Sequence, residues 1–201
     1  MSKTNRQLQK EQTKALLLQT AREVFAARGI MNTRMSDIAQ AAGVSHGTVF
    51  LHFATQEALI TEVVEDCGNE MARRTHELAQ GSEGLGAVLR AHLSSIEAFE
   101  PFYTRLIIEN RLLPPAARDV WVGIQSAISL HFSEAAAGEI AAGRVKNIPP
   151  HLLFNTWVGL LHYYLANADL FAPESGVVKR YGDTLFNHYM QLINSQAGDG
   201  T

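Results

Sequence analysis

TRMSDIAQAAGVSHGTVFLHFATQEAL, residues 33–59, decides how this chain reads. It describes two short helices joined by a tight glycine turn, with a third helix starting behind them. Thr33 is expected to cap the first short helix, whose small apolar face is Ile38, Ala39 and Ala42. Gly43 stands where a helix ends in a left-handed residue, a conformation glycine adopts without steric cost. Val44 is expected to tuck the turn inward, and Ser45 to cap a second helix over about His46 to His52. So short a helix is not stable alone, so neighbours must hold it. Val49 and Phe53, four apart, give it an inward face. His46, Thr48, Leu51 and His52 are left pointing out, and Gly47 keeps the leading edge bare. A short helix with a bare polar leading edge suits the major groove, where the first residues of such a helix meet base edges.

Outward from this stretch the chain reads as helix almost everywhere, with no period-2 alternation. A first helix is expected over residues 12–28, with Leu17, Ala21, Val24 and Phe25 on one face and Gly29 ending it. Thr55 is expected to cap a long helix from Gln56 to about Ala79, striped by Leu59, Val63 and Cys67. Gly81, Ser82, Gly84 and Gly86 mark a loop or frayed start. The next helix, from about Leu85, is expected to break at Pro101 and a further one to run to Leu113. Pro114 and Pro115 suit the first turn of a helix to about Ala137, and Pro149 and Pro150 open another to about Phe171. A last helix is expected over about Val177 to Ser195, with a mobile tail at Ala197–Thr201.

Composition narrows the class. The chain has 201 residues, 46% hydrophobic and 18% charged, which is the make-up of a folded protein. No apolar run approaches the length of a membrane span, and the polar N-terminus predicts no secretory signal. The single cysteine, Cys67, fits a reducing cytoplasm, and cytoplasmic localisation is expected. The net charge of −3 is unevenly spread: residues 1–56 hold seven basic and three acidic side chains, the rest ten and seventeen. The positive end therefore coincides with the groove-reading stretch. Catalytic and metal readings find little support. The eight histidines include no i, i+4 pair, there is no HExxH or CxxC, and no glycine-rich phosphate loop follows a strand. No cofactor and no metal are expected.

At the stretch quoted first, the chain resembles the tetracycline-repressor (TetR) family of transcriptional regulators. The matching residues are Phe25, Ala26 and Gly29, then Thr33, Ile38–Ala39 and Ala42–Gly43–Val44–Ser45, then Gly47–Thr48–Val49–Phe50, His52–Phe53, Thr55 and Glu57–Ala58–Leu59. The resemblance covers roughly residues 12–65. It implies an all-α fold: an N-terminal three-helix bundle with a helix-turn-helix over residues 1–55, then a helical domain for effector binding and dimerisation over residues 56–201. The DNA-binding residues it implies are Thr33, Arg34, Ser45, His46, Gly47, Thr48, Phe50, Leu51, His52 and Thr55. Arg34 is a phosphate candidate, since a cation at a helix start favours an anion. His46 and Thr48 are candidates for base edges, and His52 for a phosphate. Phe50 stands where the family usually has tyrosine, Leu51 where it often has an aromatic or polar residue. His46 and Gln56 stand where lysine is common, and Ala54 brings no charge. With its own cations depleted, the surface is expected to lean on an N-terminal arm of Lys3, Arg6, Lys10 and Lys14.

For the C-terminal half, the resemblance implies a small-molecule effector inside the bundle and a homodimer through the last two helices. The candidate effector-lining residues are Phe99, Phe102, Tyr103, Ile107, Trp121, Gln125, Trp157, Leu161 and His162. Candidate interface residues are Leu153, Trp157, Leu160, Tyr164, Leu185, Tyr189 and Leu192, and the same periodicity fits an intrachain core equally well. The expected partners are double-stranded DNA, a second copy and a hydrophobic effector, with no membrane. A ligand-responsive repressor reading a palindrome is the function these features predict. A helical interaction module, or a DNA-binding protein without an effector, are the alternatives.

Overall fold

The computed structural model describes residues 4–79 and 84–195. Lys3 of the expected arm, Gly81 and Ser82 of the expected loop, and the expected tail from Ala197 lie outside the described residues. Among the described residues there are helices and no strands: α1 (Asn5–Arg28), α2 (Met35–Ala41), α3 (His46–His52), α4 (Gln56–Ala79), α5 (Leu85–Glu109), α6 (Pro115–Ala141), α7 (Pro150–Ala166), α8 (Ala168–Phe171) and α9 (Val177–Ile193). They form two compact units, Met1–Gly68 with Pro101–Trp121, and Asn69–Glu100 with Val122–Thr201.

The first unit is built on the short helices. Leu17, Ala21 and Phe25 of α1, Ile38 and Ala39 of α2, Val49 and Phe53 at α3, and Leu59, Ile60, Val63 and Val64 of α4 are buried. Phe25 packs near Phe102, and Tyr103 meets Trp121 edge-on at 5.4 Å. α1 starts at Asn5, well before the residue 12 that its apolar pattern predicts. Thr4 and Gln7 make a capping box, with Gln7 N–H donating to Thr4 Oγ1 and Thr4 N–H donating to Gln7 Oε1. Three of the four basic residues expected in an arm, Arg6, Lys10 and Lys14, therefore lie on a helix, following one another at four-residue steps.

Pro101 does not break its helix. α5 runs through it, because the proline removes one backbone hydrogen bond while Ile96 and Phe99 before it and Phe102, Tyr103 and Leu106 after it are buried in their respective units. The helix from Pro150 does not reach Phe171 unbroken: Asn167, at φ −114° and ψ 37°, separates α7 from the single turn of α8. α9 stops at Ile193 because the chain there turns to pair with the segment before α7. Lys146 N–H donates to Ile193 O and Ser195 N–H to Arg144 O.

In the second unit α9 is held at its start by a side chain from α5. The Glu100 carboxylate, 7% exposed, accepts from the backbone N–H groups of Val177 and Val178, two of the donors a helix start leaves unpaired. Gly176 gives it room, since a Cβ there would come within 2.9 Å of a Glu100 oxygen. Glu100→Ala strands both donors and should lower unfolding stability by about 2–4 kcal/mol, with Glu100→Gln losing roughly half as much. Urea titration of the three proteins checks this. Equal stability of Glu100→Ala and the parent would mean that the carboxylate caps nothing of consequence.

Candidate nucleic-acid interface

The turn between α2 and α3 follows from its residues. Gly43 sits at φ +67°. Its N–H donates to Gln40 O and the Val44 N–H reaches back to Ala39 O, which ends α2 in a Schellman motif. Val44 is half-buried. Ser45 then caps α3, its Oγ accepting from Thr48 N–H at 3.1 Å and lying 2.8 Å from Thr48 Oγ1. Thr55 caps α4 in the same way, through the Ala58 N–H.

Thr33 does not cap α2. It is 1% exposed, and its hydroxyl donates to Gly29 O at 2.7 Å, closing the loop that leaves α1. The residue before α2 is Arg34, whose own N–H donates to Asp37 Oδ2. A threonine at this spacing has a backbone partner on either side, and the upstream carbonyl takes it. Gln56, at a position where the family commonly has lysine, has a structural role. Its amide donates to Thr33 O at 2.8 Å and so ties the start of α4 to the approach to α2. The two residues are 23 apart, too far for any local pattern to link them. Glu109 lies further still from the loop it serves. This buried carboxylate accepts from Met31 N–H, and Gly29, at φ +93°, leaves it space.

These interactions fix α3 with one face to solvent. Val49 is buried, while His46, Gly47 and Phe50 are exposed and Leu51 is 80% exposed. His46 lies edge-on to Phe50, with ring centroids 4.8 Å apart. Thr48 is half-buried, its hydroxyl against Ser45. A Cβ on Gly47 would meet nothing closer than Ser45 Oγ at 3.8 Å, so nothing within the chain requires glycine there.

The charges around this face are unequally engaged. Lys14 pairs with Glu62, Arg22 with Asp66 and Arg28 with Asp37. Arg6, Lys10 and Arg34 are exposed and have no acidic partner among the described residues. His52, at the end of α3, is half-buried with an unpartnered Nδ1. Burial first, then the charges of Lys10 and Lys14, hold its pKa below the ordinary value, which places the basic stripe of α1 beside the last turn of α3.

Residues 17–63 match the profile described as bacterial regulatory proteins of the tetR family. That stretch, which holds α2 and α3, carries the family's domain. Over 70 residues it is 39% identical to an HTH-type transcriptional repressor of Mycobacterium tuberculosis, a match covering 35% of this chain and 37% of that protein. So the chain aligns with little more than a third of the length of that relative. The HTH-type transcriptional repressor AcnR of Corynebacterium efficiens is 27% identical over 150 residues, 74% of this chain and 73% of its own. Among solved structures, the fold matches the regulator FadR of Bacillus subtilis, determined with stearoyl-CoA. The TM-score is 0.74 at 17% identity, over 88% of this chain and 97% of that one.

The residues expected at a TetR-type effector site fall in both units. Phe102, Tyr103, Ile107 and Trp121 belong to the first, and Phe99, Gln125, Trp157, Leu161 and His162 to the second. Phe99, Phe102, Tyr103, Trp121, Trp157 and Leu161 are buried, and Ile107, Gln125 and His162 half-buried. A cleft of about 410 Å³ in the second unit, lined by Glu139, Arg144, Val145, Met190 and Asn194, includes none of them. Of the residues expected between two copies, Leu153, Trp157, Leu185 and Tyr189 are covered within the chain itself. Trp157 and Tyr189 pack together at 5.2 Å, and the Tyr189 hydroxyl donates to Leu153 O. Leu160 and Tyr164 are half-buried and Leu192 is half exposed. No helix among the described residues is long and apolar enough to cross a membrane.

Proposed function

We propose that the chain is a cytoplasmic, ligand-responsive transcriptional repressor without catalytic activity, which binds a palindromic operator as a homodimer. The single observation carrying this reading is the outer face of α3: a serine-capped helix start, a glycine that packing does not require, and His46 and Thr48 beside it. Residues 1–55 serve as the DNA-binding part and residues 56–201 as the effector-binding and dimerising part. His46 and Thr48 meet base edges, and the exposed Leu51 offers an apolar surface of the kind a thymine methyl accepts. Phosphates are gripped by Arg34, His52 and the starts of α3 and α4 at Ser45 and Thr55, with Phe50 beside them lacking a hydroxyl.

The free cations refine the part given to the N-terminal segment. Lys14 is occupied by Glu62, so Arg6 and Lys10 are the side chains left to meet phosphate. In operator titrations at several salt concentrations, Arg6→Gln with Lys10→Gln should flatten the slope of log affinity against log salt by about 2, near 0.9 for each phosphate no longer neutralised. His46→Ala with Thr48→Ala should leave that slope alone and abolish preference for the operator over random DNA. If the second pair keeps full sequence preference, the proposed reading surface is wrong.

Pairing of two copies supplies the second reading helix that a palindrome requires. Since the inward faces of α7 and α9 are already used, the pairing face consists of the exposed stripe Leu152, Thr156, Gly159 and Tyr163 of α7 with Leu192 of α9. Gly159 faces open space within the chain, which leaves room for a close helix approach. The effector is hydrophobic, because the candidate lining is aromatic and poor in charge. FadR, which shares the fold, was determined with a long-chain acyl-CoA.

A further inference from the structure

The second unit contains a buried histidine whose protonation follows from geometry alone. Trp157 Nε1 lies 3.1 Å from His92 Nδ1. An indole nitrogen can only donate, so Nδ1 is the acceptor and carries no proton. The hydrogen of the neutral ring is therefore on Nε2. His92 is 3% exposed, and Nε2 is buried without a hydrogen-bond partner among the described residues. A buried donor left unsatisfied costs free energy, and natural cores rarely keep one without a use. The nearby polar groups are already committed. Ser95 Oγ donates to Ala91 O and bonds to Thr75, and the Tyr189 hydroxyl donates to Leu153 O.

We propose that His92 Nε2–H is the polar anchor of the effector site and selects apolar molecules bearing an uncharged carbonyl oxygen. The inference rests on the effector reading above and names the ligand chemistry of that site. Trp157 fixes the ring and its tautomer, and Ile96 and Leu161, one helical turn on from His92 and Trp157 in α5 and α7, are fully buried. The titratable group that acts on His92 is His162, and burial holds both rings neutral, each pushed down to about 4. Among the described residues no cation acts on the His92 ring, so a ketone, ester or lactone is favoured there over an acid of the same size. A neutral N–H aimed at a neutral oxygen needs no buried charge.

The probes are acetophenone and 2-octanone, with ethylbenzene and octanoate as controls lacking the carbonyl or carrying a charge. Long-range ¹H–¹⁵N NMR of the histidine rings reads the site, and operator binding by fluorescence anisotropy reads the output. The His92 signals should report the Nε2–H tautomer in the free protein, and millimolar ketone should move them where octanoate does not. His92→Phe should weaken ketone binding at least tenfold and ethylbenzene binding less than twofold, and His92→Gln, which can both accept and donate, should restore part of the ketone affinity. Because the wild-type spectra need no variant, a misfolded His92→Phe leaves the test intact. Ketones that bind without moving the His92 signals, or no ketone effect at any concentration, would overturn the proposal, the donor then serving internal water alone. Ketone bound at His92 with operator affinity unchanged would uphold the anchor and sink the effector reading instead. Ketone that releases operator without touching His92 would do the reverse.

Discussion

Lowering the pH from 7 to 4 should cost the second unit about 3–6 kcal/mol of stability, through His92 and His162 together. Burial is the main cause of both lowered values, with repulsion from His162 adding to that of His92. The sign follows from where protons bind. Between about 4 and the ordinary histidine value of 6.5, the unfolded chain takes up protons that the folded one refuses. Stability is therefore complete above 6.5 and falls as the pH drops towards 4. The two rings act on each other, so the loss is a property of the pair. Urea unfolding at half-unit pH steps reads it, and His92→Gln should flatten the lower part of the curve. A flat profile from about pH 7 to pH 4.5 would mean the rings are not buried as described.

Gly47 carries the second large effect, and it has opposite signs in two assays. A methyl group there makes only an ordinary contact, with Ser45 Oγ at 3.8 Å, so Gly47→Ala should raise stability by about 0.5–1 kcal/mol, the usual gain on replacing glycine in a helix. On the proposed reading the same methyl intrudes where the leading edge of α3 approaches the bases, so operator affinity should fall about tenfold. Gly47→Leu should lose at least a hundredfold, with the fold intact by circular dichroism. Affinity that rises together with stability would show that the glycine has no part in DNA approach.

What was legible in the sequence was local. Ile38 and Ala39 inward, Gly43 left-handed, Ser45 capping, and Val49 with Phe53 four apart all depend on neighbours within one or two turns, and α3 has the bounds its pattern predicts. What was not legible depends on residues distant in the chain. The Thr33 carbonyl is claimed by Gln56, and the Thr33 hydroxyl, free to turn either way, goes back to Gly29. Glu100 finds the start of α9 from 77 residues away, and His92 finds Trp157 across 65. Pro101 lies inside a helix because burial on both sides outweighs one missing hydrogen bond. The stripe Leu153, Trp157, Leu185 and Tyr189 shows a different limit. Helical periodicity identifies a face that must be covered, but the covering group is this chain's own, and the face left over is one position round the helix.

Operator reading by two copies of α3 is tested most directly by selecting bound DNA from random sequence with the full chain, followed by quantitative footprinting. One enriched palindrome is expected, with half-sites whose centres lie about one helical turn, roughly 34–36 Å, or a multiple of it apart. The enrichment should disappear with His46→Ala and Thr48→Ala. Enrichment of a single unpaired site, or of no sequence at all, would contradict the dimeric reading of a palindrome by α3.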